Sequence, residues 1–335
     1  MKYRILGKSG LRVSRIGLGG LPIQRTDRNG TREIILAMKE AGVNFIDTAR
    51  AYKESEEYIG EAIEGSRNSF VLASKSMARN KNSMAKDIEV SLKNLHTDYI
   101  DLYQIHHLEE KDVETVLSPK GALSALFEAK TEGKIGHIGV TTHSSEIFQK
   151  FMDFEWVETM MLPYNIVENH AEDLISACHS RNIGFINMKP LAGGALDDIS
   201  LSLRFVFANP DIDVVIPGMS SVEEFKQNLK LAKAETSFSQ EELLKINEIR
   251  RTLGTEFCRR CNYCAPCSVG INIPQAFILE GYLRRYGMVD WAKSRYAALE
   301  HKASDCINCG ACESRCPYGL PIRKMLDSVL KTFGE

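Results

Sequence analysis

From about residue 15 to about residue 235, short apolar runs alternate with amphipathic stretches. Eight runs can be counted, at 15–20, 44–48, 70–75, 100–106, 137–142, 159–165, 183–190 and 213–217. Between them apolar residues recur at helical spacing, as in Ile34, Met38 and Ala41 closed by Gly42, or Ile88, Leu92 and Leu95. Helices with that spacing cover one face of a sheet. Eight such units predict an α/β chain folded as a parallel (β/α)8 TIM barrel. The same alternation suits an open doubly wound sheet. Two details weigh against that second architecture: no G-x-G-x-x-G follows the first run, where Gly17, Gly19 and Gly20 are spaced differently, and polar residues fall at the ends of several runs. Residues 3–13, turning at Lys8, Ser9 and Gly10, read as a hairpin ahead of the first barrel strand.

Composition changes this picture at one point. The 335 residues carry 42 Lys+Arg against 44 Asp+Glu, with 44% hydrophobic and 26% charged residues. That balance excludes a disordered or collagenous chain and shows no pull toward nucleic acid or an anionic membrane surface. No stretch approaches the ~20 apolar residues of a membrane helix. The start, MKYRILGKSG, has early charges and no long apolar core, so neither a secretory signal nor a transit peptide is expected, and the expected compartment is the reducing cytoplasm. The outlying feature is cysteine: eight of nine lie after residue 257. Composition thus divides the chain into a barrel over 1–250 and a second domain over 251–335.

The eight cysteines form two runs, CRRCNYCAPC with Cys258, Cys261, Cys264 and Cys267, and CINCGACESRCP with Cys306, Cys309, Cys312 and Cys316. The first three recur at an offset of 48 and the fourth at 49, followed by the related SVGINIP and PYGLPI, which marks an internal duplication. The second run is the bacterial ferredoxin pattern C-x2-C-x2-C-x3-C-P of a 4Fe-4S cluster. In two-cluster ferredoxins the fourth ligand comes from the other run. On that pattern Cys258, Cys261, Cys264 and Cys316 hold one cluster, and Cys306, Cys309, Cys312 and Cys267 the other. The first run departs from it, with a shorter last spacing and Ser268 in place of proline. Zinc is the competing metal, but zinc ribbons use two cysteines per knuckle and each run here carries four. The segment between the runs has helical periodicity, so an α-helical ferredoxin-like domain is expected. Cys178 reads as a small buried helix residue and His179 as a surface one.

In the barrel, four titratable residues stand at or just beyond three adjacent strand ends: Asp47 and Tyr52 in FIDTARAY, Lys75 in VLASKS and His106 in DLYQIHH. Singly each has a bland explanation in solvation or packing. Together they point at one mouth of the barrel. Strand alternation sends the neighbouring His107 elsewhere.

The stretches D-T-A-x-x-Y-x-x-S-E, S-K and D-L-Y-x-I-H, with G-K-I-x-x-I-G-V, P-L and V-I-P-G further on, resemble the aldo-keto reductase family over residues 1–250. With the cysteine module the chain is similar to that family's iron–sulfur subgroup. The resemblance implies a catalytic tetrad of Asp47, Tyr52, Lys75 and His106. Carbonyl reduction needs a proton donor beside the oxygen, and an ammonium beside a tyrosine lowers its pKa from the ordinary ~10 by stabilising the phenolate. The resemblance implies that Lys75 fills that role, held by an ion pair with Asp47, and that His106 orients the carbonyl or helps relay the proton.

The cofactor positions implied by the resemblance are less regular. The residues aligned with the nicotinamide-binding amides are Thr142 and Met161, and Met188 replaces the stacking aromatic. Gly218 and Glu224 stand where a 2′-phosphate is often held, and Glu224 would repel it. Gln227 and Asn228 match the adenine side. Ser220, Ser221 and the pair Gly193 and Gly194 suit a phosphate site, although the glycine pair also suits a plain turn. These departures favour NAD(H) over NADP(H) and leave a flavin open. A flavin would also join two-electron hydride chemistry to one-electron clusters. The resulting expectation is an oxidoreductase acting on a small carbonyl or alcohol, with a ferredoxin or flavoprotein as electron partner. The alternative is an electron-transfer or redox-sensing protein that uses its barrel as a docking scaffold.

Overall fold

The computed structural model describes residues 1–253, 257–259, 261–284 and 289–335. An antiparallel hairpin, β1 (Tyr3–Ile5) and β2 (Arg12–Ser14), precedes eight parallel strands: β3 (Gly17–Gly19), β4 (Phe45–Asp47), β5 (Val71–Ser76), β6 (Ile100–Ile105), β7 (Ile135–Thr141), β8 (Thr159–Pro163), β9 (Gly184–Met188) and β10 (Val214–Ile216). They are hydrogen-bonded in chain order, and parallel bridges from Ile16 to Val215 and from Gly19 to Gly218 bring the first strand against the last. The sheet is therefore a closed (β/α)8 barrel and not an open doubly wound sheet.

Period-two alternation sorts each strand between two cores. Outward residues such as Ile46, Leu72, Tyr103, Val140 and Met160 pack with the helices into one large cluster. Inward residues Phe45, Val71, Ala73, Leu102, Met161, Ile186, Val214 and Ile216 form a separate cluster inside the barrel, joined by Leu6 and Val13 of the hairpin segment. The hairpin is thus a plug whose apolar side chains join the core of the barrel. Two residues further along the same strands the inward positions turn polar: Asp47 follows Phe45, Lys75 follows Ala73, and Gln104 follows Leu102. The site stands on this apolar floor, at the C-terminal ends of the strands.

By contact density the chain forms two units, Met1–Ala192 with Leu196–Arg250, and Gly193–Ala195 with Arg251–Glu335. The second is helical, with Ile273–Arg284, Val289–Ala297, Ala311–Ser314 and Ile322–Phe333 as its α-helices and no strand among its described residues. The duplication read from the cysteines extends into the backbone. Gly270 and Gly319, 49 residues apart, are both left-handed, with φ of 84° and 56°. Each is followed by a buried aliphatic pair, Ile271 with Ile273 and Leu320 with Ile322, and then by a helix. Those four residues share one apolar core with Cys264 and Cys312.

Candidate active site and cysteine module

Asp47 ends β4 and Lys75 lies on β5, side by side in the barrel wall. Lys75 Nζ donates to Asp47 Oδ2 at 2.5 Å and to the Thr48 carbonyl at 2.8 Å, and both side chains are buried. Burial pushes the Lys75 ammonium below its ordinary range and the Asp47 carboxyl above its own, and the ion pair opposes both shifts. The loop after β4 stays pinned to β5, since the amides of Thr48 and Arg50 bond to the carbonyls of Ala73 and Lys75 at 2.9 and 3.0 Å. Tyr52 is turned back by a bond from its amide to Ala49 O at 3.0 Å. Its ring centre lies 5.1 Å from Lys75 Nζ, and the His106 ring meets it edge-on at 5.9 Å. The four sequence-selected residues are therefore brought together. Tyr52 is half-buried whereas the other three are buried, which leaves the phenol as the accessible member. Burial first, and then the neighbouring Lys75, His107, Arg79 and Lys189, hold His106 well below the usual imidazole range, so its ring is neutral.

Several supporting residues were not singled out from sequence. Gln104 Nε2 donates to the second Asp47 oxygen at 3.2 Å. Fully buried Glu56 pairs with Arg50 at 2.6 Å and accepts from Ser74 and Ser91, each at 2.7 Å. Arg79 Nη2 donates to the carbonyls of His106 and His107 at 3.0 and 2.7 Å, while its Nε pairs with Asp112 at 2.9 Å. His107 leaves the strand conformation, and its ring meets His143 rather than the tetrad. Gln104 had a readable signal, being a polar residue at an inward position between Leu102 and His106. The other positions come together only through the closure of the barrel.

The positions aligned with cofactor contacts are arranged differently from one another. Thr142 is buried, and its hydroxyl is engaged with Leu108 O at 2.8 Å and Ser144 N at 3.1 Å. Met161 belongs to the apolar core inside the barrel, with Met188 packed against it. Gly218 lies at the barrel seam, where a β-carbon would come within 2.6 Å of Pro22 Cγ. Gly193, at φ 66°, has a packing reason of its own, since a β-carbon there would lie 2.4 Å from Arg259 O. Ser221 caps the helix Val222–Ala232 by accepting from Glu224 N at 3.2 Å, and the Glu224 carboxylate accepts from Ser220 N, one residue before the cap, at 2.7 Å. In that helix Asn228 is buried and Gln227 exposed.

In the second unit, Cys267 lines one cavity together with Cys306, Cys309 and Cys312. Burial pushes the Cys264 thiol up to about 12, with further contributions from nearby Cys258, Cys261 and Cys316. Each grouping therefore combines three cysteines of one run with the fourth of the other. Cys309 is exposed and Cys312 buried. Cys178 is buried in the helix Glu172–Ser180, 3.6 Å from Met152 Sδ. His179 is exposed. Among the described residues no helix is long and apolar enough to cross a membrane.

Comparison with known proteins gives this arrangement a family. Residues 15–200 match the model of the aldo/keto reductase family, and residues 257–321 match a 4Fe-4S dicluster domain. Aldo-keto reductase YhdN of Bacillus subtilis is 34% identical over 194 residues, which cover 52% of this chain and 57% of that protein. The holo form of aldo-keto reductase AKR11C1 from Bacillus halodurans superposes with a TM-score of 0.65 at 26% identity, covering 74% of this chain and 96% of its own. An aldo-keto reductase from Klebsiella pneumoniae in complex with NADPH gives a TM-score of 0.64 at 26% identity, covering 75% and 96%. The chain belongs to the aldo/keto reductase family of oxidoreductases and carries a 4Fe-4S dicluster domain after its barrel.

Proposed function

We propose that the barrel interconverts a carbonyl compound and its alcohol with Tyr52 as the proton donor, and that it exchanges electrons with a partner through two 4Fe-4S clusters. The observation that carries this reading is the half-buried Tyr52 ring between the Lys75 ammonium at 5.1 Å and the neutral His106 ring at 5.9 Å. The nicotinamide, when bound, supplies or accepts the hydride. Tyr52 gives its proton to the carbonyl oxygen as negative charge develops there, and Lys75 stabilises the phenolate left behind. Asp47 and the Thr48 carbonyl hold the ammonium in place. His106 carries no charge and so serves as a hydrogen-bond partner that orients the carbonyl. Thr142 and Met161 leave little side-chain polarity for a nicotinamide amide.

For the clusters, the groupings of cysteines support Cys258, Cys261, Cys264 and Cys316 as one ligand set and Cys267, Cys306, Cys309 and Cys312 as the other. The clusters supply single-electron transfer, and a flavin, in the barrel or on a partner flavoprotein, converts between hydride pairs and single electrons. A reducing cytoplasmic setting belongs to the same reading. Protein purified anaerobically is expected to contain about eight iron and about eight sulfide per chain. Stoichiometric zinc without sulfide would overturn the cluster assignment.

Glu224, whose carboxylate accepts from Ser220 N, stands at a position aligned with the 2′-phosphate site of the resembling family. This supports NAD(H) over NADP(H), in contrast to the Klebsiella relative crystallised with NADPH. Glu224→Arg is expected to move the NADPH/NADH ratio of kcat/KM toward NADPH by about tenfold or more. An unchanged ratio would remove Glu224 from the cofactor site.

A further inference from the structure

Ser268 is a point where the duplication of the cysteine runs breaks. It follows Cys267 as Pro317 follows Cys316, and the two turns are alike: Gly270 N donates to Cys267 O and Gly319 N to Cys316 O, each at 3.1 Å. The two residues therefore occupy matching places in their turns. A proline there has neither a hydroxyl nor an amide proton to give. Ser268 does have a hydroxyl, and its Oγ lies 3.3 Å from Cys309 Sγ in the other run.

The direction of that contact follows from the chemistry of the donor set. Cys267, Cys306, Cys309 and Cys312 line one cavity, four sulfurs of the kind that hold an iron–sulfur cluster, and Ser268 lines it with them. A cysteine that ligates iron is a thiolate with no proton of its own, so the hydroxyl donates and the sulfur accepts. The hydroxyl is held in place from both sides. Cys267 and Val269, its chain neighbours, pack against the apolar core of the module. Arg315 Nη2 donates to Pro266 O at 2.6 Å and Arg315 Nε to Ala311 O at 3.0 Å, which ties the turn carrying Ser268 to the segment between Cys309 and Cys312.

Resting on the two-cluster reading, we infer that Ser268 tunes the cluster held by Cys267, Cys306, Cys309 and Cys312, raising its reduction potential through a hydrogen bond to the Cys309 thiolate. Reduction adds one electron and so one negative charge, which the thiolates share. A donor bond to a thiolate strengthens as that charge grows, and therefore favours the reduced state. The hydroxyl keeps its proton throughout, no bond is made or broken, and the one-electron partner supplies or withdraws the electron. Ser268 acts through a ligand and is not one itself. Because Pro317 offers no such donor at the matching place, the effect of this position is confined to one of the two clusters.

Potentiometric titration of the anaerobic holoprotein, followed by electron paramagnetic resonance, tests this. Ser268→Ala is expected to lower the midpoint potential of one cluster by about threefold to tenfold in its one-electron equilibrium, tenfold being about 59 mV, and to leave the other in place. Ser268→Thr keeps the hydroxyl and should retain the wild-type midpoint. Ser268→Pro copies the other run and should shift as Ser268→Ala does, which decides the matter if the alanine substitution impairs cluster loading. Unmoved midpoints in Ser268→Ala and Ser268→Pro, equal shifts of both clusters, or a shift in Ser268→Thr as large as in Ser268→Ala overturn the inference. Iron and sulfide analysis of the same samples separates the two readings. A wild type without two clusters fails the cluster reading and takes this inference with it, whereas fully loaded variants with unmoved midpoints overturn this inference alone.

Discussion

Tyr52→Phe is expected to abolish measurable carbonyl reduction while leaving the fold and nucleotide binding in place. The substitution removes one hydroxyl from a half-buried ring and keeps the ring's contacts with Lys75 and His106. A positioned proton donor contributes about 10²–10⁴ to rate, and the other members of the tetrad are engaged in different tasks. His106 is buried and neutral, and the Lys75 ammonium is engaged by Asp47 and Thr48 O. Steady-state kinetics with nucleotide titration in parallel separates the outcomes. Full turnover in the variant would remove Tyr52 from the chemistry.

Lys75→Met should produce the largest combined loss. It leaves Asp47 buried with Gln104 Nε2, at 3.2 Å, as the remaining hydrogen bond shown to its carboxylate. Breaking one side of a buried pair costs about 3–5 kcal/mol, because the surviving charge is no longer compensated. Asp47 can relieve part of that by taking up a proton, since burial already raises its pKa. Activity should fall by about 10² or more, because the cation that stabilises the Tyr52 phenolate is gone. The double variant Asp47→Asn/Lys75→Met separates the two effects: denaturant unfolding should show most of the stability recovered, while kcat stays at the level of the single variant. Equal unfolding free energies for Lys75→Met and wild type would show that the pair carries no structural weight.

The barrel was legible because its strands and helices carry different periods. Each observed barrel strand overlaps one of the eight apolar runs, and Asp47, Lys75 and His106 sit at or just beyond strand ends where period two places them inward, while Tyr52 lies in the loop after β4. The duplicated cysteine runs were legible for a similar reason, since their spacing is local. What could not be read depends on contacts between distant segments. Arg79, His107, His143 and Lys189 come from four separate strand ends or loops, and nothing in their neighbouring sequence says that they meet. Thr142 was aligned with a cofactor-binding amide, yet its hydroxyl is engaged by Leu108 O and Ser144 N, a choice made by the loop's conformation. Gly193 similarly shows that a glycine suited to a phosphate turn can be required by a nearby backbone, here that of Arg259.

Electron paramagnetic resonance of the anaerobic holoprotein tests most directly whether barrel chemistry and clusters share one electron path. The protein is mixed with NAD+, a trace of FMN and a panel of hydroxy acids and secondary alcohols. Wild type is expected to develop a reduced 4Fe-4S signal approaching about two spins per chain, with Tyr52→Phe silent until dithionite is added. Clusters that stay oxidised in wild type but respond to dithionite, or that are reduced equally in both proteins, would contradict the coupling.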